Sequence, residues 1–249
     1  MNLSFIREGP ALVVEGENRI LVVADTHFGI EADLASHGMH FRSRSSDRLE
    51  RLLRTIDRAD PDTLLLLGDI KHSIPSLTRQ EYAELPRILG ALRDRIPLII
   101  FPGNHDIGLE RFVQDGELQP RDGAVVDGVA YLHGHTNPSP ALFGNLIILG
   151  HHHPLLSLHD EVGCALREPA YLRATLNPAV ADAYGPVPDP TRLLFMPAFN
   201  ELAGYDLLRI VKDPFSPLSR GMDGEGAEII LADGTLIGPI STVDRNEDG

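Results

Sequence analysis

Aspartate and histidine recur along this chain in short groups, each placed where an apolar run ends. The groups are Asp25-Thr26-His27, Gly68-Asp69, Gly103-Asn104-His105-Asp106, His133-Gly134-His135 and Gly150-His151-His152-His153. Asp, Asn and His together offer hard oxygen and borderline nitrogen donors, a mixture suited to Mn²⁺, Fe²⁺, Zn²⁺ or Co²⁺ rather than to a calcium loop. Sulfur is absent from the groups. Cys164 is the one cysteine of the chain, so an all-thiolate zinc site and an internal disulfide are both ruled out, and a buried structural thiol is its expected role. A carboxylate such as Asp69 can bridge two ions whereas an imidazole nitrogen binds one, so a bridge is best assigned to aspartate. In an open α/β sheet, reactive groups gather where the carboxyl ends of strands meet loops, so five such endings can meet at one centre.

The elements that must carry these groups follow from hydrophobic periodicity. Ala11 to Val14 and Ile20 to Ala24 read as strands joined by a turn at 16–18, and Thr63 to Leu67 and Leu98 to Phe101 as buried strands. Between them, Ser46 to Ala59 places Leu49, Leu52, Leu53 and Ile56 at helical spacing. Thr78 to Arg93 opens with a Thr78/Glu81 capping box, and Pro86 is expected to kink or divide it. This is a βαβ rhythm. From Gly123 onward the pattern becomes strand-rich, with Ala124 to Val126, Val129 to Leu132, Asn145 to Leu149, Leu193 to Met196 and Leu207 to Val211, then a hairpin around Asp233-Gly234. The stretch from Leu155 to Asp189 lacks periodicity and reads as a surface insertion. A second sheet packed on the first is the natural reading, giving a four-layer αββα sandwich of two facing mixed β-sheets. The expected organisation is a single domain over 1–243 with a disordered tail at 244–249.

Composition narrows the function classes. A 249-residue chain can bury a full core, and 43% hydrophobic with 23% charged residues suits a globular protein. A formal net charge of −14 argues against passive binding to a phosphate backbone unless positive charge is concentrated locally or supplied by metal. No apolar run is long enough to cross a bilayer and Met1 to Val14 lacks a signal pattern, so a cytoplasmic location is expected.

In order and spacing, Asp-x-His, Gly-Asp, Gly-Asn-His-Asp, His-Gly-His and Gly-His-x-His between Asp25 and His153 resemble the calcineurin-like metallophosphoesterase superfamily. Within it, Ala24 to Glu31, Gly68 to Ser73, Gly150 to Pro154 and Met196 to Gly204 are similar to archaeal SbcD-related and bacterial DNA-ligase-associated phosphoesterases. The resemblance implies one ion held by Asp25, His27, Asp69 and His153 and another by Asp69, Asn104, His133 and His151. It leaves His105 unliganded to stabilise the transition state or protonate the leaving oxygen, with Asp106 orienting it. Two such ions, roughly 3.5–4 Å apart, can hold a hydroxide and clamp the attacking and leaving oxygens of an in-line displacement. Mn²⁺ is the expected metal, with Fe²⁺, Zn²⁺, Ni²⁺ and Co²⁺ as alternatives.

Around these groups, several residues have two readings. His135 can replace His133 as ligand or touch substrate, and Lys71 and His72, just after the bridging carboxylate, are candidate substrate contacts. His152 is expected to point away from the metals. Arg42 and Arg44 read as solvated charge, and Met196 to Asn200 as closure of the second sheet. The leading function is a dinuclear phosphodiesterase or nuclease acting on nucleic acid, with DNA-repair proteins as implied partners. Alternatives are a small-molecule phosphodiesterase of cyclic-nucleotide type, a phosphomonoesterase, or a non-catalytic scaffold on the same fold. Gly68-Asp69-Ile70-Lys71-His72-Ser73 lacks the aromatic usual in the repair-nuclease branch.

Overall fold

Alternation within Ala11-Leu12-Val13-Val14 sets the layering: Ala11 and Val13 pack under helices, while Leu12 and Val14 face a second sheet. A computed structural model describes residues 1–39, 42–159, 165–182 and 190–243. The first sheet contains β1 (Asn2–Ile6), β2 (Ala11–Glu15), β3 (Arg19–Ala24), β4 (Thr63–Leu67) and β5 (Leu98–Phe101), paired in that order. β3, β4 and β5 are parallel, and their register aligns Ala24, Leu67 and Phe101 in one row. The helices α1 (Ile30–Ser36), α2 (Ser45–Ala59) and α3 (Arg79–Arg93) follow the first strands, α2 and α3 serving as crossovers. Leu52, Ile56, Leu85, Leu89 and Leu92 pack these crossovers on the outer face of the sheet.

The second sheet is built mostly from strands. β6 (Ala124–Val126), β7 (Val129–Leu132), β8 (Leu146–Leu149), β9 (Pro154–His159), β10 (Ala165–Leu176), β11 (Arg192–Phe195) and β12 (Tyr205–Asp206) run in the spatial order β12-β9-β10-β11-β8-β7-β6. β13 (Met222–Leu231) joins β10 and carries the edge strand β14 (Leu236–Pro239). Here β7, β8 and β11 form a second parallel trio, with Leu132, Leu149 and Phe195 in one row. Three short helices complete it: α4 (Pro178–Asp182), α5 (Leu207–Lys212) and α6 (Pro217–Gly221).

Three apolar clusters define four layers. One joins the first sheet to α2 and α3; another joins the second sheet to Leu207, Ile210 and Leu218 of α5 and α6. Between them Leu12, Val22, Leu65 and Phe101 meet Tyr131, Ile148, Tyr171 and Leu194, and the Tyr171 hydroxyl donates to the Ala11 carbonyl at 2.9 Å. The expected αββα sandwich of two facing mixed sheets is present.

Four sequence expectations need correction. The described part of Leu155 to Asp189 is not a surface insertion, because β9 and β10 lie in the second sheet; adjacent apolar residues such as Tyr171 and Leu172 serve two faces and so hide the period. Leu207 to Val211 is helical, started by the Asp206 side chain accepting from Leu208 N. Pro86 does not divide α3, which is continuous from Arg79 to Arg93. β1 joins the edge of the first sheet without having been read as a strand. Cys164, His40 and the 244–249 tail lie outside the described residues, and of His159 only the backbone is described.

Candidate metal centre

The two rows of strand ends bring all five histidine and aspartate groups to one rim. Asp25 follows β3, Asp69 follows β4, Asn104 to Asp106 follow β5, His133 follows β7, and His151 to His153 follow β8. Single donor atoms of Asp25, His27, Asp69 and His153 all lie within 4.8 Å of one another, and so do those of Asp69, His133 and His151. Asp69 belongs to both of these sets, and His27, His72 and His105 form a third group beside them. Asn104 joins the second through its Oδ1, 3.2 Å from His133 Nε2.

Backbone conformation at this rim is unusual. Asp25, His27, Asp69, His151 and His153 all have positive φ, between 42° and 71°. Each costs about 1 kcal/mol or more for a residue with a Cβ. Neighbouring turns hold them there: Asp25 N donates to Gly68 O at 3.1 Å, His27 N to Asp69 O at 2.8 Å, and His151 N to the Asp25 carboxylate at 3.0 Å. Two glycines permit the close approach. A Cβ on Gly68 would lie 2.0 Å from His133 Nδ1, and one on Gly103 would lie 2.0 Å from Asp69 Oδ1.

The donor set suits divalent cations. His153 Nε2 stands 3.1 Å from Asp25 Oδ1, His133 Nε2 3.3 Å from Asp69 Oδ2, and His27 Nε2 3.3 Å from His153 Nε2. Ligands about 2.1 Å from a common ion stand about 3–3.4 Å apart, the same range. Burial and neighbouring histidines hold the His151 imidazole down to about 2, and burial likewise depresses His27, so both present lone pairs rather than protons. Burial alone would raise Asp69, but His133, His27 and His105 hold it well below the usual carboxylate range. For His133, burial is outweighed by Asp69 and Asp25, which push it up to about 9. Carboxylates this deeply buried need compensating positive charge.

A model of calcineurin-like phosphoesterases matches residues 18–188, a span that contains every residue of both sets. The chain belongs to the calcineurin-like phosphoesterase family. It is a metal-dependent phosphoric ester hydrolase with a dinuclear divalent-metal site. Among solved structures it is similar to the Pseudomonas putida nuclease MPE, at 20% identity and a TM-score of 0.55 over 93% of this chain and 98% of that one, a likeness of fold. YfcE, a phosphoesterase from E. coli, is 16% identical over 57% of this chain and 73% of that one, with a TM-score of 0.37.

Around the centre of this phosphoesterase, individual side chains depart from expectation. Asp106 does not orient the His105 ring: its carboxylate accepts from Gly103 N (2.7 Å), Ile70 N (2.8 Å) and Lys71 N (3.2 Å), binding two ligand loops together. Burial and Asp69 raise its pKa. The His105 ring instead donates through Nδ1 to the His72 carbonyl, and its Nε2 lies 3.8 Å from Asp69 Oδ2. Lys71 is fully buried with its ammonium on the Ser73 carbonyl, so it is removed from substrate. His72 stacks on His105 and meets His27 Nδ1 at 3.2 Å, beside the cluster. His133 lies inside the second set and His135 outside it, 5.2 Å away ring to ring with a buried, unpartnered Nδ1. Burial and His133 lower His135 to about 4. His152 points away, to Gly150 O and Ser216 Oγ. Arg42 is exposed, and Arg44 pairs with Glu201 at 3.2 Å.

Two supports escaped the sequence reading. Glu81, recognised only as a capping residue, also accepts from His72 N (3.0 Å) and Ser73 N (2.7 Å), fastening the loop after Asp69 to α3. Asn200 bridges the sheets: its Nδ2 donates to Thr26 O (3.0 Å) and His27 O (3.2 Å), and buried Arg48 holds Glu31 and Glu201 beside it. Met196 to Asn200 therefore fixes the His27 turn rather than merely closing the second sheet. The signal was a polar Asn directly after the apolar Ala198-Phe199.

Proposed function

We propose that this phosphoesterase is a two-metal phosphodiesterase acting on nucleic acid, its residues 1–243 forming one catalytic domain. The observation that carries this reading is the pair of donor sets sharing one carboxylate. Asp25, His27, Asp69 and His153 would hold one ion and Asp69, Asn104, His133 and His151 the other, with Mn²⁺ the preferred metal and a cytoplasmic setting among DNA-repair proteins. Bound there, the cations supply Lewis acidity to the phosphoryl group and acidify a water near neutral pH. His105 is the proton donor to the leaving oxygen. Its Nδ1–H, engaged by the His72 carbonyl, fixes the ring so that the proton to be transferred sits on Nε2, the edge nearer Asp69. Asp106 keeps the Gly103 and Ile70 loops at fixed separation, which sets where His105 stands relative to the ligands. His135, partly exposed with its ring beside that of His133, is the candidate substrate contact next to the second set.

The test is hydrolysis of bis-p-nitrophenyl phosphate, p-nitrophenyl phosphate and a single-stranded oligonucleotide with Mn²⁺, Mg²⁺, Zn²⁺ and Ni²⁺. Turnover of the diester and the oligonucleotide with Mn²⁺, above that of the monoester, is expected. Monoester turnover exceeding diester turnover with every metal would overturn the reading, and diester turnover without oligonucleotide cleavage would move the substrate to a small phosphodiester.

A further inference from the structure

Only two aromatic side chains, Tyr82 and Phe215, are among the large exposed hydrophobics of the described residues. Tyr82 packs edge-on against Phe112, with ring centroids 5.7 Å apart. Phe215, 39% exposed, borders the metal centre: its centroid is 5.5 Å from the ring of His151, a member of the second donor set. The ring is held on two more sides, by His152 at 4.8 Å and Tyr205 at 5.6 Å. Its backbone is held as well. Ser216, the next residue, caps α6 in a reciprocal box with Ser219, and its Oγ meets buried His152 Nε2 at 2.8 Å. An aromatic ring is thus held beside a metal ligand and left partly exposed before any substrate arrives, so little ordering cost remains to be met on binding.

The charge of the molecule says what such a face can recognise. The chain carries −14 overall and has only two lysines, of which Lys71 is buried. Arginine supplies the other twenty positive charges, yet the net charge still opposes a phosphate backbone, so a contact that needs no charge gains weight. Exposed Ile74 and Ile107, on the loops carrying His72 and His105, make the surroundings more apolar still. Stacking of a base on an aromatic ring needs no charge and tolerates any base, since every base has a π face. Resting on the phosphodiesterase reading above, we propose that Phe215 is the stacking platform for the nucleobase of the nucleotide being cleaved, which makes nucleoside-bearing phosphodiesters the substrate class.

Three p-nitrophenyl phosphodiesters with the same leaving group test this: the methyl, thymidine 5′ and thymidine 3′ esters, assayed with the Mn²⁺-loaded protein. The wild type should prefer at least one thymidine ester over the methyl ester in kcat/KM by about tenfold or more, mainly through KM. That ratio should fall to near unity in Phe215→Leu, which keeps apolar packing against His151 and His152, and return in Phe215→Trp. Calorimetric titration with thymidine 5′-monophosphate against methyl phosphate should show the same preference and the same loss. A wild type with no thymidine preference, or a preference that survives in Phe215→Leu, overturns the platform while leaving the phosphodiesterase reading intact. Hydrolysis of none of the three esters sinks that reading and the platform with it.

Discussion

The two parallel strand trios, β3-β4-β5 and β7-β8-β11, end in matched rows yet contribute different chemistry to the centre. The first supplies the acids Asp25, Asp69 and Asp106 with Asn104 and the histidines His27 and His105; the second supplies His133, His151 and His153 and no carboxylate. Facing the sheets rim to rim sets two of these imidazoles against acids from the other layer: His133 against Asp69 at 3.3 Å, His153 against Asp25 at 3.1 Å. Every carboxylate of the two sets lies on one side, and the other offers imidazoles alone. The dinuclear centre is therefore a property of the interface between the sheets, since neither row alone furnishes a complete set.

The largest expected effects come from the shared carboxylate. Asp69→Asn should deplete both ions and lower kcat/KM on the order of a thousandfold or more, the weight of Lewis-acid stabilisation lost. His151→Ala, on the other sheet, should deplete only one; metal analysis after gel filtration that finds equal losses would break the division between the sheets. Next comes His105→Ala, expected to slow a natural phosphodiester by about a hundred- to ten-thousandfold with metal content preserved. A p-nitrophenyl ester, whose leaving oxygen needs little protonation, should suffer less. Equal losses on both would make His105 an electrostatic stabiliser instead.

Asn200→Ala sharpens the comparison more finely, because Asn200 follows a second-sheet strand but grips a first-sheet turn. It should weaken metal affinity at the Asp25/His27 set by roughly ten- to a hundredfold, as loss of a ligand-orienting partner does. Equal weakening at both sets, measured by Mn²⁺ titration, would show a general loss of packing. The smallest effect lies away from the rim. Arg93 and Glu117 form two hydrogen bonds at 2.6 and 2.7 Å, and that bonding holds the Glu117 pKa down. Because its folded pKa is depressed, Glu117 adds stability above its unfolded value near 4.5, and that contribution is lost as the pH falls through the lower folded value. Glu117→Gln should cost about 1–2 kcal/mol at pH 7 and less near pH 3, with activity per folded molecule unchanged. Thermal melts at the two pH values check it.

The same contrast explains what could be read in advance. In the first sheet each strand is a short apolar run and each crossover an amphipathic helix, so Thr63–Leu67, Leu98–Phe101 and α2 stand out, and the ligands fall at their ends. In the second, β8 returns to β11 through a strand pair. β10 changes partners along its length, meeting β9 at Ala165 to Pro169 and β11 and β13 from Ala170 onward, so no single alternation marks it. The ligand types were legible because His and Asp in ordered groups are rare outside such centres. The roles of Asp106, Lys71, Glu81 and Asn200 were not, because each acts through backbone groups that only the folded turns bring within reach.

Anomalous diffraction from crystals grown with Mn²⁺ tests the central claim most directly. Two peaks about 3.5–4 Å apart, with the Asp69 carboxylate between them and histidines of the second sheet completing both coordination spheres, are the expected result. A single peak, or two peaks that do not share Asp69, would contradict it.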